Sequence, residues 1–192
     1  MGLRMNKIGI FFGTNSGTTR LMAKKMAKLL GDVAAKPLNI NRTTAEELLQ
    51  YDALILGTAT YGIDQLPGKS TDIQDGSWED FMPQLAGKDL SGKVIALYGL
   101  GDQEKYPDRF AHSLIHLYRW GVAGGADVVG QWSTEGYTFK QSPAVVDGQF
   151  VGLVLDQQSQ SLLTEARLSA WIEAIKPISL YTSQPSANSL AI

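Results

Sequence analysis

The chain has 192 residues, a formal net charge of −2, 44% hydrophobic and 19% charged residues, and no cysteine. That length and apolar fraction suit one folded domain with a sizeable core, and the moderate charge speaks against wholesale disorder. The slightly acidic balance is not that of a nucleic-acid binder, and the lack of cysteine excludes disulfides, thiolate metal sites, iron–sulfur clusters and cysteine nucleophiles. The opening Met1-Gly2-Leu3-Arg4-Met5-Asn6 lacks the apolar core of a signal peptide, and no run reaches membrane-spanning length. A cytoplasmic location with no membrane partner is therefore expected.

Ile8-Gly9-Ile10-Phe11-Phe12 reads as a buried parallel strand. It runs into Gly13-Thr14-Asn15-Ser16-Gly17-Thr18-Thr19 and then a helix through Leu30, with Leu21, Met22, Met26, Leu29 and Leu30 on one face and Lys24, Lys25 and Lys28 outside it. A hydroxyl-rich turn between a buried strand and a helix N-terminus offers free N–H groups and a favourable dipole to an anion. The turn is no P-loop, because its glycines are one residue too close and no Lys follows Gly17; G-x-G-x-x-G is also absent. Hydroxyls and amides without a Lys suit a tightly held monophosphate that is not transferred. Alone, the stretch reads equally as a β–α turn rich in N-cap residues.

Farther along, Ala34 to Asn39 predicts a short strand at or near an edge, since Pro37 lacks an N–H. Thr43 or Thr44 can cap a brief helix through Leu49. Ala53 to Thr58 and Lys93 to Gly99 predict further buried strands, separated by a helix from Ser77 to Leu85 whose Trp78, Phe81, Met82 and Leu85 belong to the core. Phe110 to Trp120 predicts another helix. Val128 and Val129 open a fifth strand that Phe150 to Leu155 continues, and Ser161 to Ile175 predicts a closing amphipathic helix carrying Leu162, Leu163, Leu168, Trp171, Ile172 and Ile175. This alternation implies an α/β, doubly wound, five-stranded parallel sheet. Such sheets bind ligands at the strands' carboxyl ends. The rule selects Thr14 to Thr19, Thr58 to Gly62, and Gly99 to Tyr106. A phosphate nest beside Tyr61 and Tyr106 describes a site for a flat ring carrying a phosphorylated chain, as in FMN.

From about Lys7 to about Ala174 the chain resembles a long-chain flavodoxin. The resemblance is carried by Thr14-Asn15-Ser16-Gly17-Thr18-Thr19, Gly99-Leu100-Gly101-Asp102-Gln103, Trp132-Ser133-Thr134-Glu135-Gly136-Tyr137 and the run Val145 to Asp156. It implies strand order 2-1-3-4-5, with residues 131–149 as the long-chain insertion in the fifth strand, inside a single domain of residues 1–176. It further implies FMN phosphate binding by Thr14, Asn15, Ser16, Gly17, Thr18 and Thr19. Tyr106 would stack on the outer flavin face and Tyr61 lie against the inner one. Thr58, Ala59, Thr60, Gly62, Leu100, Gly101 and Asp102 would surround ring and ribityl chain, with Asp156 nearby. Leu66-Pro67-Gly68 and the loop 69–77 look most like the nitrogenase-associated members. The implied partners are a low-potential reductase as donor and the nitrogenase iron protein or a similar acceptor.

An electron carrier of this kind is expected to be monomeric, to shuttle between semiquinone and hydroquinone, and to catalyse nothing by itself. Shielding the ring from water disfavours its doubly reduced anion, because a buried charge is costly; Asp64 and Asp102 add repulsion. Gly62 tolerates the positive φ by which its carbonyl could turn toward flavin N5–H. The alternative is an FMN-dependent quinone reductase of the same fold, against which Tyr106 over the ring argues. A signalling receiver would need acidic residues where Gly13-Thr14-Asn15 stand. Asp108, His112 and His116 recur every fourth residue, but read as solvated surface and not as a metal site. Tyr137 and Phe139 are read either as cover for the sheet or as partner contacts. Lys69, Lys105 and Arg109 lie close to the expected site, and residues 177–192, which carry no charged side chain, are expected to form a mobile tail.

Overall fold

The computed structural model describes residues 5–183. The elements run β1 (Met5–Phe12), α1 (Thr18–Leu30), β2 (Leu38–Asn39), α2 (Ala45–Leu49), β3 (Tyr51–Thr58), α3 (Trp78–Leu85), β4 (Val94–Leu100), α4 (Leu114–Ala123) and β5 (Asp127–Val129). There follow β6 (Trp132–Ser133), β7 (Val145–Val146), β8 (Gln149–Phe150), β9 (Leu153–Leu155) and α5 (Thr164–Ile175). The main sheet is parallel, in the order β2-β1-β3-β4-β5, with β9 also on β4. Ile8, Ile10, Phe12, Ile55 and Ala96 face the layer containing α1 and α5; Phe11, Leu54, Leu56, Ile95 and Leu97 face the layer containing α3 and α4. Burial on both sides explains why the central strands read as continuous apolar runs.

The fifth strand is split in two. Val94 to Ala96 pair with β5, and Tyr98 to Leu100 pair with β9. Between the halves, β6, β8 and β7 form a small antiparallel sheet. Phe150 belongs to that sheet, so the fifth strand resumes at Leu153 and not at Phe150. Tyr137 and Phe139 do cover the core: their rings lie 5.0 and 5.4 Å from Phe150, and Phe110 packs on both. Burial pushes the Tyr137 phenol up to about 12.

Several predicted boundaries move, each for a local reason. Only Leu38 and Asn39 pair at the edge, with Ala34 reduced to one bridge to Ile8. Thr44 caps α2, its hydroxyl accepting from Glu47 N–H at 3.1 Å while the Glu47 carboxylate accepts from Thr44 N–H at 2.9 Å. α4 begins at Leu114 and not at Phe110, because Ala111 takes φ +52° and Phe110 N–H donates to the Gln141 carbonyl. Leu21 and Leu29 flank the buried stripe of α1 and are 48% and 44% exposed; Met22, Ala23, Met26 and Leu30 form the stripe. Leu162 is 96% exposed in a 3-10 turn before α5. Beyond α5, Lys176–Ser183 continues as 3-10 helix and buries Ile178 in the α1/α5 layer, so the boundary expected at 177 falls inside a packed element. The rest of the expected tail lies outside the described residues. Among the described residues no helix is long and apolar enough to cross a membrane.

One buried cation ties two strands together. Lys93 Nζ donates to the Leu49 and Tyr51 carbonyls, each at 2.7 Å, and lies 3.7 Å from Asp52. Lys93→Ala would leave two carbonyls and a carboxylate short of a partner, and removing one member of such a group is costly. Urea unfolding should show a loss of about 2–4 kcal/mol; unchanged stability would mean that water replaces the ammonium.

Candidate functional site

The three strand ends selected by the doubly wound topology lie side by side. In register, Phe12 pairs with Gly57 and Thr58 with Gly99, while Gly13 N–H donates to the Gly57 carbonyl at 3.0 Å. The Thr60 hydroxyl donates to the Leu100 carbonyl at 2.7 Å, joining the second loop to the third. Gly101 N–H donates to the Leu155 carbonyl at 3.1 Å.

In the first loop, Gly17 N–H donates to Thr14 Oγ1 at 3.0 Å, and Gly17 caps α1 at φ +94°. Among the described residues, the N–H groups of Thr14, Asn15, Ser16, Thr18 and Thr19 meet no protein acceptor. Thr19 Oγ1 is buried and unpartnered as well. Donors gathered at a helix N-terminus, with a buried hydroxyl among them, fit an oxyanion.

This turn rests on residues that the sequence did not single out. The fully buried Tyr98 hydroxyl donates to the Thr19 carbonyl at 2.9 Å from two strands away, and burial pushes that phenol up. Tyr98 crosses β3 over Gly57, where a Cβ would meet its ring at 1.9 Å. Trp78 Nε1 donates to the Gly57 carbonyl at 2.8 Å, and Ser77 fills the space against Gly13. Only the glycines at 13 and 57 hinted at these close approaches.

The third loop is folded by its carboxylates. Asp102 Oδ1 accepts from Glu104 and Lys105 N–H at 3.2 and 3.0 Å, and the Asp102 carbonyl accepts from Tyr106 N–H at 2.9 Å. The turn presents Tyr106 at 50% exposure, with Lys105 Nζ 5.4 Å from its ring centroid. Tyr61 is half-buried. Asp156 is fully buried and spends its oxygens on Gln103, Gln158 and Ser159, so it braces the loop from behind.

The second loop holds a difference from expectation. Gly62 already has φ +73°, and a Cβ there would meet Gln65 and Thr71 at 2.8 Å, so the glycine is required before any turn of its peptide. His112, expected at the surface, is 2% exposed, and its Nε2 lies 3.1 Å from the Gly62 carbonyl. Ser113 Oγ donates to the Gln65 carbonyl at 2.8 Å. Asp108 is exposed, and among the described residues no group of three acidic or histidine side chains is gathered for a metal.

A family model described as flavodoxin matches residues 10–171. The chain belongs to the flavodoxin family. The flavodoxin of Klebsiella pneumoniae is 48% identical over 172 residues, covering 90% of this flavodoxin and 98% of that protein. Flavodoxin 1 of Azotobacter vinelandii is 38% identical over 176 residues, covering 90% and 97%. Among solved structures, the Fusobacterium nucleatum flavodoxin bound to flavin mononucleotide superposes with a TM-score of 0.80 at 32% identity, over 89% of this flavodoxin and 97% of that chain.

Two histidines of this flavodoxin make its stability depend on pH. Burial pulls the His112 imidazole below its ordinary 6.5; Arg109 and His116 act the same way, against the Gly62 bond and Asp64. Burial likewise lowers His116. As pH falls below about 6.5 the unfolded chain takes up these protons first, so the stability is present above that pH and is lost toward the lower folded values. The urea midpoint should fall between pH 7.5 and pH 5, and by less in His112→Gln; an equal fall in both would show that His112 titrates as if solvated.

Proposed function

We propose that this flavodoxin holds one FMN non-covalently and carries single electrons between partner oxidoreductases. The observation that carries the reading is the set of unpaired N–H groups of Thr14, Asn15, Ser16, Thr18 and Thr19 around the orphaned Thr19 hydroxyl, at the strand ends where Tyr61 and Tyr106 also stand. The FMN-bound Fusobacterium relative supports it. Bound there, FMN supplies a centre that accepts and releases electrons one at a time.

The chain's own residues shape that centre. Thr14, Asn15, Ser16, Gly17, Thr18 and Thr19 hold the phosphate. Thr58, Ala59, Thr60, Gly62, Leu100, Gly101 and Asp102 surround ring and chain. Tyr106 excludes water from one side and Tyr61 from the other, which makes added negative charge costly. Asp102 opposes that charge further, and Asp156 acts through the loop it braces. The protein works as a cytoplasmic monomer and catalyses no reaction alone. Its donor is a low-potential reductase. Leu66-Pro67-Gly68 and the loop to Ser77, similar to nitrogenase-associated members, favour the nitrogenase iron protein as acceptor.

Thr19→Val separates the phosphate contact from the rest. If the buried hydroxyl meets the phosphate, calorimetry should show FMN binding weaker by about 1–3 kcal/mol. Riboflavin, which lacks the phosphate, should lose far less. Equal losses for the two ligands would place Thr19 away from the phosphate.

A further inference from the structure

The segment before α4 is a clamp on the second loop. Ala111 is strained at φ +52°, so α4 begins only at Leu114, and the turn before it brings two consecutive side chains, His112 and Ser113, under the loop. Ser113 Oγ donates to the Gln65 carbonyl at 2.8 Å, and His112 Nε2 lies 3.1 Å from the Gly62 carbonyl. A carbonyl can only accept, so His112 is the Nε2–H tautomer. Its Nδ1 is buried without a partner, which leaves the ring no second anchor. Arg109, Asp64 and His116 are the charged and titratable groups that face it. Gly62 stands at positive φ, where an added Cβ would meet Gln65 and Thr71 at 2.8 Å.

We propose that His112 is a positioning residue that engages the Gly62 carbonyl and so withholds it from the cofactor, lowering the potential for the first electron. The inference rests on the FMN reading above. A carbonyl that leaves His112 strands a buried N–H, a cost set against any new bond the carbonyl could make. Replacing the imidazole by an apolar ring removes that cost, whereas an amide that still donates retains it.

The test is a reductive titration of the FMN-loaded full chain as wild type, His112→Phe and His112→Gln. In His112→Phe the first-electron equilibrium should shift toward reduction by up to about tenfold, about 59 mV for one electron, with a much smaller change for the second electron. His112→Gln should return toward wild type. FMN bound in all three proteins with the same first-electron potential would overturn this inference alone; failure of the wild type to bind FMN would overturn the function proposed above and this inference with it. A measurement on the wild-type chain without cofactor needs neither variant to fold. Long-range proton–nitrogen spectra should show His112 protonated at Nε2; protonation at Nδ1 would contradict the clamp.

Discussion

A parallel sheet pairs its strands along their length and leaves them unpaired where they end, and the candidate site is built from that leftover. At the end of β1 the chain turns into α1 through residues whose N–H groups have neither a ladder partner nor a helical one. A helix N-terminus concentrates such donors and adds the dipole. Neighbouring residues hold this turn in place. Tyr98 reaches under β3 to the Thr19 carbonyl, Gly57 makes room for it, and Trp78 ties the Gly57 carbonyl to α3. The apolar layers on both faces hold these anchors where water cannot compete.

The two remaining loops are held by different groups. The 101–106 turn is fixed by carboxylates that spend their lone pairs on backbone N–H groups, Asp102 from within and Asp156 from behind. The 62–65 turn lacks such internal bonds and borrows them from His112 and Ser113. Both turns are therefore held in part from outside, the 101–106 turn by the buried Asp156 and the 62–65 turn by two side chains just before α4.

Most of the fold was legible in the sequence because continuous apolar strands and an alternating helix pattern have few other readings. That the three candidate loops lie side by side was legible because the doubly wound topology brings those strand ends together. What escaped was what periodicity cannot carry. Ala111 at positive φ delays the helix that the pattern from Phe110 to Trp120 promises, and no local residue announces it. His112 and His116 look like surface at helical spacing, yet the late start of α4 turns His112 inward. Phe150 reads as strand continuation because it is apolar, though it belongs to the inserted sheet. Tyr98 sits in a run of buried apolar residues, so its hydroxyl contact across the sheet has no signature except Gly57.

The most direct measurement of the central claim is the proton–nitrogen spectrum of the cofactor-free chain during titration with FMN. The amides of Thr14, Asn15, Ser16, Thr18 and Thr19 should shift downfield together as they gain a phosphate acceptor, at one FMN per chain. If FMN binds while these amides stay where they are, the phosphate is held elsewhere and the turn after β1 is not its site.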